Sequence, residues 1–180
     1  MDRLKLIIND HFYIECLAKN ADREKERRFC RHDYRHMDEV ARVSYNILLD
    51  SGSLAEIAAS GEPSGSDVTS EVVYAAGLLH DIARWVQYDT GEDHALAGVR
   101  LARGILARAG FDAREKAVVL RAIREHRRGG PGASLLGQIL CLADDLARPC
   151  AKCEARMDCY KIEQMEKIKS TYNYSVVRSQ

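Results

Sequence analysis

Proline is scarce: Pro63, Pro131 and Pro149 are the three in 180 residues, so little in the chain forbids long helices. No two stretches alternate apolar and polar residues convincingly, which argues against a sheet. Neither sign of charge prevails, with 27 Lys and Arg against 27 Asp and Glu, so no nucleic-acid or anionic-membrane partner is implied. The longest apolar run lies near Val72 to Leu79, far too short to span a bilayer. Met1-Asp2-Arg3-Leu4-Lys5 carries charges where a signal peptide needs an apolar core, and the expected compartment is the cytoplasm. In that compartment six cysteines read as thiols or metal ligands, not as a disulfide framework.

What is there is helical periodicity nearly everywhere, and the expected class is an all-α, single-domain bundle of about six to seven helices. The spacing predicts helices over Arg3–Lys19, Asp33–Leu49, Ser70–Tyr88, Glu92–Ala109, Ala113–Arg127, Ser134–Ala147 and Glu154–Lys169. His11 is placed with Leu4, Ile7 and Ile8 on the inner face of the first. The charged run Asp22–Arg28 reads as a solvated turn or the lead-in to the next helix, Leu54–Ala59 as a further helical turn, and Ser60–Asp67 as a loop. The last ten residues read as a loose tail. Tyr45 and Tyr88 read as packing residues.

The chain is organised around Leu78-Leu79-His80-Asp81-Ile82-Ala83-Arg84. Val72, Ala76, Leu79, Ala83 and Val86 recur at the spacing of one buried helical face. His80 stands four after Ala76 and three before Ala83, so it lies on that face, with Asp81 beside it. An unpaired buried carboxylate is very costly, so such groups pair with a cation or coordinate a metal.

Other helices repeat the pattern. His36 shares a stripe with Val40 and Val43, His94 with Gly98 and Leu101, His126 with Val119 and Ala122, and Asp144 with Leu136 and Leu140. One such histidine alone is ordinarily a satisfied core residue. Several imidazoles and two carboxylates meeting in one core have no cheap explanation except a shared cation, and mixed nitrogen and oxygen ligands suit iron, manganese or zinc better than calcium. His32, one turn before His36, could reach the site or hydrogen-bond a ligand.

The ordered set His36 with Val40, His80-Asp81, His126 and Ala143-Asp144 resembles the HD superfamily of metal-dependent phosphohydrolases, over about Cys30 to Arg148. The segment His80-Asp81-Ile82-Ala83 and the additional His94 and His126 look closest to the bacterial symmetric dinucleoside tetraphosphatases, a branch with a di-iron centre in a helical bundle. The resemblance implies a first metal on His36, His80, Asp81 and Asp144, and a second on His94 and His126, bridged by Asp81. It implies hydrolysis of a phosphoester or phosphoanhydride of a nucleotide-like small molecule by metal-activated hydroxide, with Asp81, Arg84 and Arg148 in catalytic roles. One or two divalent transition metals are expected, iron or manganese first, with zinc and magnesium open. Two departures weaken the substrate assignment. Arg84 stands where that branch has lysine, and Arg127-Arg128-Gly129-Gly130 replaces a differently composed loop. A mononuclear nucleotidase or phosphodiesterase, and a nucleotide-sensing module without significant turnover, stay open, as does a homodimer.

The expected organisation is residues 1–29 as an N-terminal helix packing on the core, 30–148 as the HD domain, and 149–180 as a cysteine-containing extension. In that extension Cys150 and Cys153 form a C-x2-C pair, and Cys159 could add a third thiolate ligand. A structural zinc wants four, which leaves Cys30 or a histidine to complete it, or ordinary thiols as the alternative.

Overall fold

Asp10 divides what the spacing predicts as one N-terminal helix. Its carboxylate accepts from the backbone N–H groups of Phe12 (2.9 Å) and Tyr13 (3.2 Å), so it ends α1 (Asp2–Ile8) and caps α2 (His11–Arg23). The break turns His11 out to solvent, against the expectation that it shares a face with Leu4 and Ile7. The structure is a computed structural model that describes residues 2–51 and 69–171, and among them every regular element is a helix. The expected turn at Leu54–Ala59, the loop Ser60–Asp67 and most of the C-terminal tail lie outside the described residues.

The central pair is α3 (Tyr34–Asp50) against α4 (Ser70–Leu79), each opened by a side-chain cap, from Asp33 to the His36 N–H and from Thr69 to the Val72 N–H. Gly77 makes this contact close. A Cβ there would lie 2.6 Å from the Cβ of Ala41, so only glycine lets the backbones approach this far. Around them stand α5 (Arg84–Thr90), α6 (His94–Arg108), α7 (Ala113–Glu125) and α8 (Leu135–Leu146). Leu4, Ile7, Tyr13 and Cys16 join Val40, Leu79, Ile105, Ile123 and Leu140 in one buried cluster, so the first two helices contribute to the main core. No helix among the described residues is long and apolar enough to cross a membrane.

Two further expectations are corrected. The helix predicted over Ser70–Tyr88 is interrupted at residues 80–83, where Ile82, Arg84 and Val86 donate to the carbonyls three residues back instead of four. No glycine or proline marks the interruption. It is held by Asn20 of α2, whose Nδ2 donates to the Asp81 carbonyl (3.0 Å) and whose Oδ1 accepts from the Trp85 N–H (2.8 Å). The helix predicted over Glu154–Lys169 forms only in its second half, as α9 (Ile162–Thr171), and two short 3-10 turns, Cys150–Lys152 and Arg156–Asp158, precede it. Within 150–171 only Ala155 and Met165 are fully buried apolar side chains, too few to impose one helical stripe.

Candidate metal centre

The interruption at 80–83 puts His80 and Asp81 at the end of α4, facing residues in or beside four neighbouring helices. His36 comes from the first turn of α3, His94 opens α6, His126 follows α7, and Asp144 lies in the last turn of α8. His36 Nε2 is 3.1 Å from Asp144 Oδ1, and His80 Nε2 is 3.9 Å from that oxygen and 3.5 Å from Asp81 Oδ2. The other carboxylate oxygen of Asp81 lies 2.9 Å from His94 Nε2 and 3.5 Å from His126 Nε2. Among the described residues two groups have donor atoms all within 4.8 Å of one another: His36, His80, Asp81 and Asp144, and Asp81, His94 and His126. Asp81 belongs to both, one oxygen towards each.

The outer edges of the imidazoles are tied down. His80 Nδ1 is 2.7 Å from the Gly77 carbonyl and His126 Nδ1 is 2.6 Å from that of Ile123, which directs each Nε2 lone pair inward. His94 Nδ1 sits between an acceptor, Gln87 Oε1 at 2.6 Å, and a donor, Arg84 Nη1 at 2.9 Å, so either tautomer finds a partner. With Nε2 used as a ligand, the Nδ1–H goes to Gln87.

The donor set fits a metal. His36 Nε2, His80 Nε2, Asp81 Oδ1 and Asp144 Oδ1 are buried without a hydrogen-bond partner, on four side chains that converge on one place. Native interiors rarely leave such atoms unpaired, and four in one place mark a site shaped for something they would hold. Electrostatics point the same way. Burial pushes the His80 imidazolium down to about 3, so this ring is neutral at ordinary pH. Burial alone would raise both aspartates. The nearby His80 and His32 rings outweigh it at Asp81, and the close His36 ring together with the Arg148 guanidinium outweighs it at Asp144, so both stay well below the usual carboxylate range. A neutral His80 and ionised Asp81 and Asp144 are in the protonation states that divalent metals require, whereas at His126 the Asp81 carboxylate outweighs burial and pushes the imidazolium up.

A cavity of about 440 Å³ opens on this cluster. Arg27, Arg84, Arg127, Arg128, Arg148 and Lys161 all line it, an excess of positive charge over the aspartates that suits an anionic ligand. The predicted catalytic arginines are both committed inside the protein. Arg84 Nη1 donates to Gln87 Oε1 (3.1 Å), and Arg148 Nη2 donates to Asp144 Oδ2 (2.6 Å). Arg127 pairs with Asp93 at the rim. The fourth wall comes from the C-terminal segment, through Cys159, Tyr160, Lys161 and Gln164. The cysteines are all free thiols, and among the described residues no group of three donors within 4.8 Å of one another includes one, so Cys150, Cys153 and Cys159 are not gathered as the zinc alternative requires.

Several residues of the site escape the sequence reading. Glu24, assigned to a solvated turn, is 1 % exposed. It accepts from the His32 N–H (2.8 Å) and the Tyr88 hydroxyl (2.7 Å), with His32 Nδ1 2.5 Å away. Tyr88 is thus a hydrogen-bond donor at the site as well as a packing residue. The missed signal is the stripe Tyr13, Cys16, Asn20, Glu24, all buried and spaced three, four and four, which the charged run from Asp22 conceals.

Residues 33–148 match the HD domain, and the chain belongs to that family, whose members are in general metal-dependent hydrolases. A Clostridium beijerinckii protein described as uncharacterized is 29 % identical over 172 residues, which span 96 % of this chain and all of that one. Ribonuclease Y 1 of Pediococcus pentosaceus is 32 % identical over 138 residues, and ribonuclease Y of Aquifex aeolicus 35 % over 138 residues. Each alignment takes in 73 % of this chain but 25 % and 23 % of the ribonuclease, so the chain spans about a quarter of the length of those relatives. No solved structure matches.

Proposed function

We propose that the protein is a metal-dependent phosphohydrolase acting on a phosphoester or phosphoanhydride of a small nucleotide-like molecule. The observation that carries the reading is the set of buried donor atoms without partners on His36, His80, Asp81 and Asp144. His36, His80, Asp81 and Asp144 would hold one divalent ion, and Asp81, His94 and His126 a second, iron or manganese by the softness of the donors. Such ions, when bound, polarise a phosphoryl oxygen and lower the pKa of water at the site.

The chain's own residues do the rest. Arg148 holds Asp144, Gln87 accepts from the outer N–H of His94, and Arg84 holds Gln87 in turn, so the donors keep their geometry without substrate. Arg27, Arg128 and Lys161 face the cavity and supply charge for phosphate oxygens. The cavity admits a ligand of roughly nucleotide size, within the range of about 300–1,000 Å³ usual for small-molecule sites. The dinucleoside tetraphosphatase branch is supported by the presence of His94 and His126 beside Asp81, and by nothing among the relatives. The likeness to the ribonucleases favours a second reading, in which the phosphodiester belongs to RNA and a single chain end enters the cavity.

The test is elemental analysis after reconstitution with Fe²⁺ or Mn²⁺, joined to turnover of dinucleotides, mononucleotides, cyclic nucleotides and a short single-stranded RNA. Stoichiometric metal with turnover of one class supports the reading and selects the substrate. Metal without turnover leaves a sensor, and the absence of stoichiometric metal overturns it.

A further inference from the structure

The three imidazoles around Asp81 Oδ1 and the first metal group are oriented by neutral oxygens, two backbone carbonyls and the Gln87 amide. His32 is oriented by a carboxylate. Glu24 Oε1 lies 2.5 Å from its Nδ1, Glu24 Oε2 accepts from its N–H at 2.8 Å, and the Tyr88 hydroxyl donates to Oε1 at 2.7 Å. Both partners are almost fully buried, and His32 Nε2 is turned inward, 3.5 Å from Asp81 Oδ2. One turn earlier on the same face of α2, Asn20 is fully buried and grips the main chain of the interruption, at the Asp81 carbonyl and the Trp85 N–H. All three residues precede the span that matches the HD domain.

We infer that Glu24 and Asn20 are positioning residues for Asp81: Asn20 fixes its main chain, and Glu24, acting through His32, fixes the orientation of its carboxylate. The geometry assigns a job to each contact. Asn20 takes the Trp85 N–H and reaches the Asp81 carbonyl, the two groups that an unbroken helix would pair with each other, so the helix is interrupted where the carboxylate turns into the cavity. An imidazole whose Nδ1 is clamped by an ionised carboxylate cannot swing away from Asp81 Oδ2. Burial would raise the Glu24 carboxyl, but the His32 contacts hold it down at about 2. Helix α2 is therefore part of the site, although it contributes no donor to either metal group.

This inference rests on the metal-centre reading, and the experiment separates the two. Metal-free full-length protein is titrated with Mn²⁺, free ion being followed by electron paramagnetic resonance and folding by thermal melting. Glu24→Gln keeps the size of the side chain but loses its charge. It should bind Mn²⁺ about 10- to 100-fold more weakly than wild type, the range for removal of an outer hydrogen-bond partner. In a His32→Ala background the same substitution should have no further effect on Mn²⁺ affinity, because the path through His32 is already cut. Mn²⁺ affinity of Glu24→Gln within about twofold of wild type, or effects of Glu24→Gln and His32→Ala that multiply in the double variant, would overturn the inference. Should Glu24→Gln fail to fold, Tyr88→Phe removes one donor to Glu24 from a partly exposed position, and about threefold weaker Mn²⁺ binding is expected. Unchanged binding in a folded Tyr88→Phe protein would then count against it. Wild type that binds neither Mn²⁺ nor, in a parallel anaerobic titration, Fe²⁺ overturns the metal-centre reading and this one with it, whereas wild type that binds beside unaffected variants overturns this one alone.

Discussion

Helix α4 and the turn that follows it are two adjoining regions of opposite character. From Val72 to Leu79 the buried side chains of the helix are apolar and close-packed, with Gly77 seated on Ala41. At His80 and Asp81 the same buried depth holds a neutral imidazole and an ionised carboxylate, surrounded by atoms that lack partners. The first arrangement lowers the free energy of the folded chain. The second raises it, since buried polar groups left unpaired cost about 1–3 kcal/mol each. A folded chain tolerates such a cost where the groups serve something other than folding, and the adjoining apolar turns supply the stability that makes it tolerable.

Substitutions on the two sides should therefore fail in different assays. The largest effect is expected at Asp81. Asp81→Asn removes the carboxylate common to both donor groups, and activity should fall by about 10³-fold or more, several kcal/mol of transition-state stabilisation. Retained turnover with full metal content would dissolve the distinction. Next comes Leu79, fully buried two residues away. Leu79→Ala should cost about 2–5 kcal/mol of unfolding free energy, read from urea denaturation, while the folded fraction keeps its metal stoichiometry. Loss of metal at unchanged stability would show that the boundary lies elsewhere.

His94→Ala sharpens the comparison within the site. It leaves the group of His36, His80, Asp81 and Asp144 intact, so one ion should remain and one should go, as counted by elemental analysis. Loss of both, or a wild type that never exceeds one ion per chain, would favour a mononuclear centre.

The smallest effect is expected at the far end of α2, where Asp10 caps the helix and meets Arg108 at 2.7 Å. The ion pair with Arg108 holds the Asp10 carboxyl below its usual value. A depressed carboxyl stabilises the fold fully above its unfolded pKa, near 3.9, and loses that contribution as the pH falls through the lower folded value. Asp10→Asn keeps the cap and should flatten the acid limb of the stability curve by at most about 1 kcal/mol, because Arg108 is half exposed. A pH profile identical to wild type would mean that the pair contributes nothing.

Much of this was readable from the residues alone. His36, His80, His94, His126, Asp81 and Asp144 each fall on a helical stripe with apolar neighbours, and the fold brings all six together because those stripes all face one core. What stayed hidden depends on distant partners. Residues 80–83 contain no helix breaker, and the interruption comes from Asn20, some sixty positions upstream. Glu24 lies among charges that read as solvated until His32 and Tyr88 are placed around it. The segment after Pro149 has no stripe at all, so its turns follow from local bonds that periodicity does not report.

The seating of Gly77 on Ala41 works as a gauge block. His80 Nδ1 is 2.7 Å from the Gly77 carbonyl, and Ala41 belongs to the helix that carries His36. The thickness of one backbone contact thus sets the spacing between two imidazoles a turn or so away. Any side chain larger than hydrogen at 77 would be registered as added distance between His36 and His80, and the bond lengths of an ion held by both leave only a few tenths of an ångström for it.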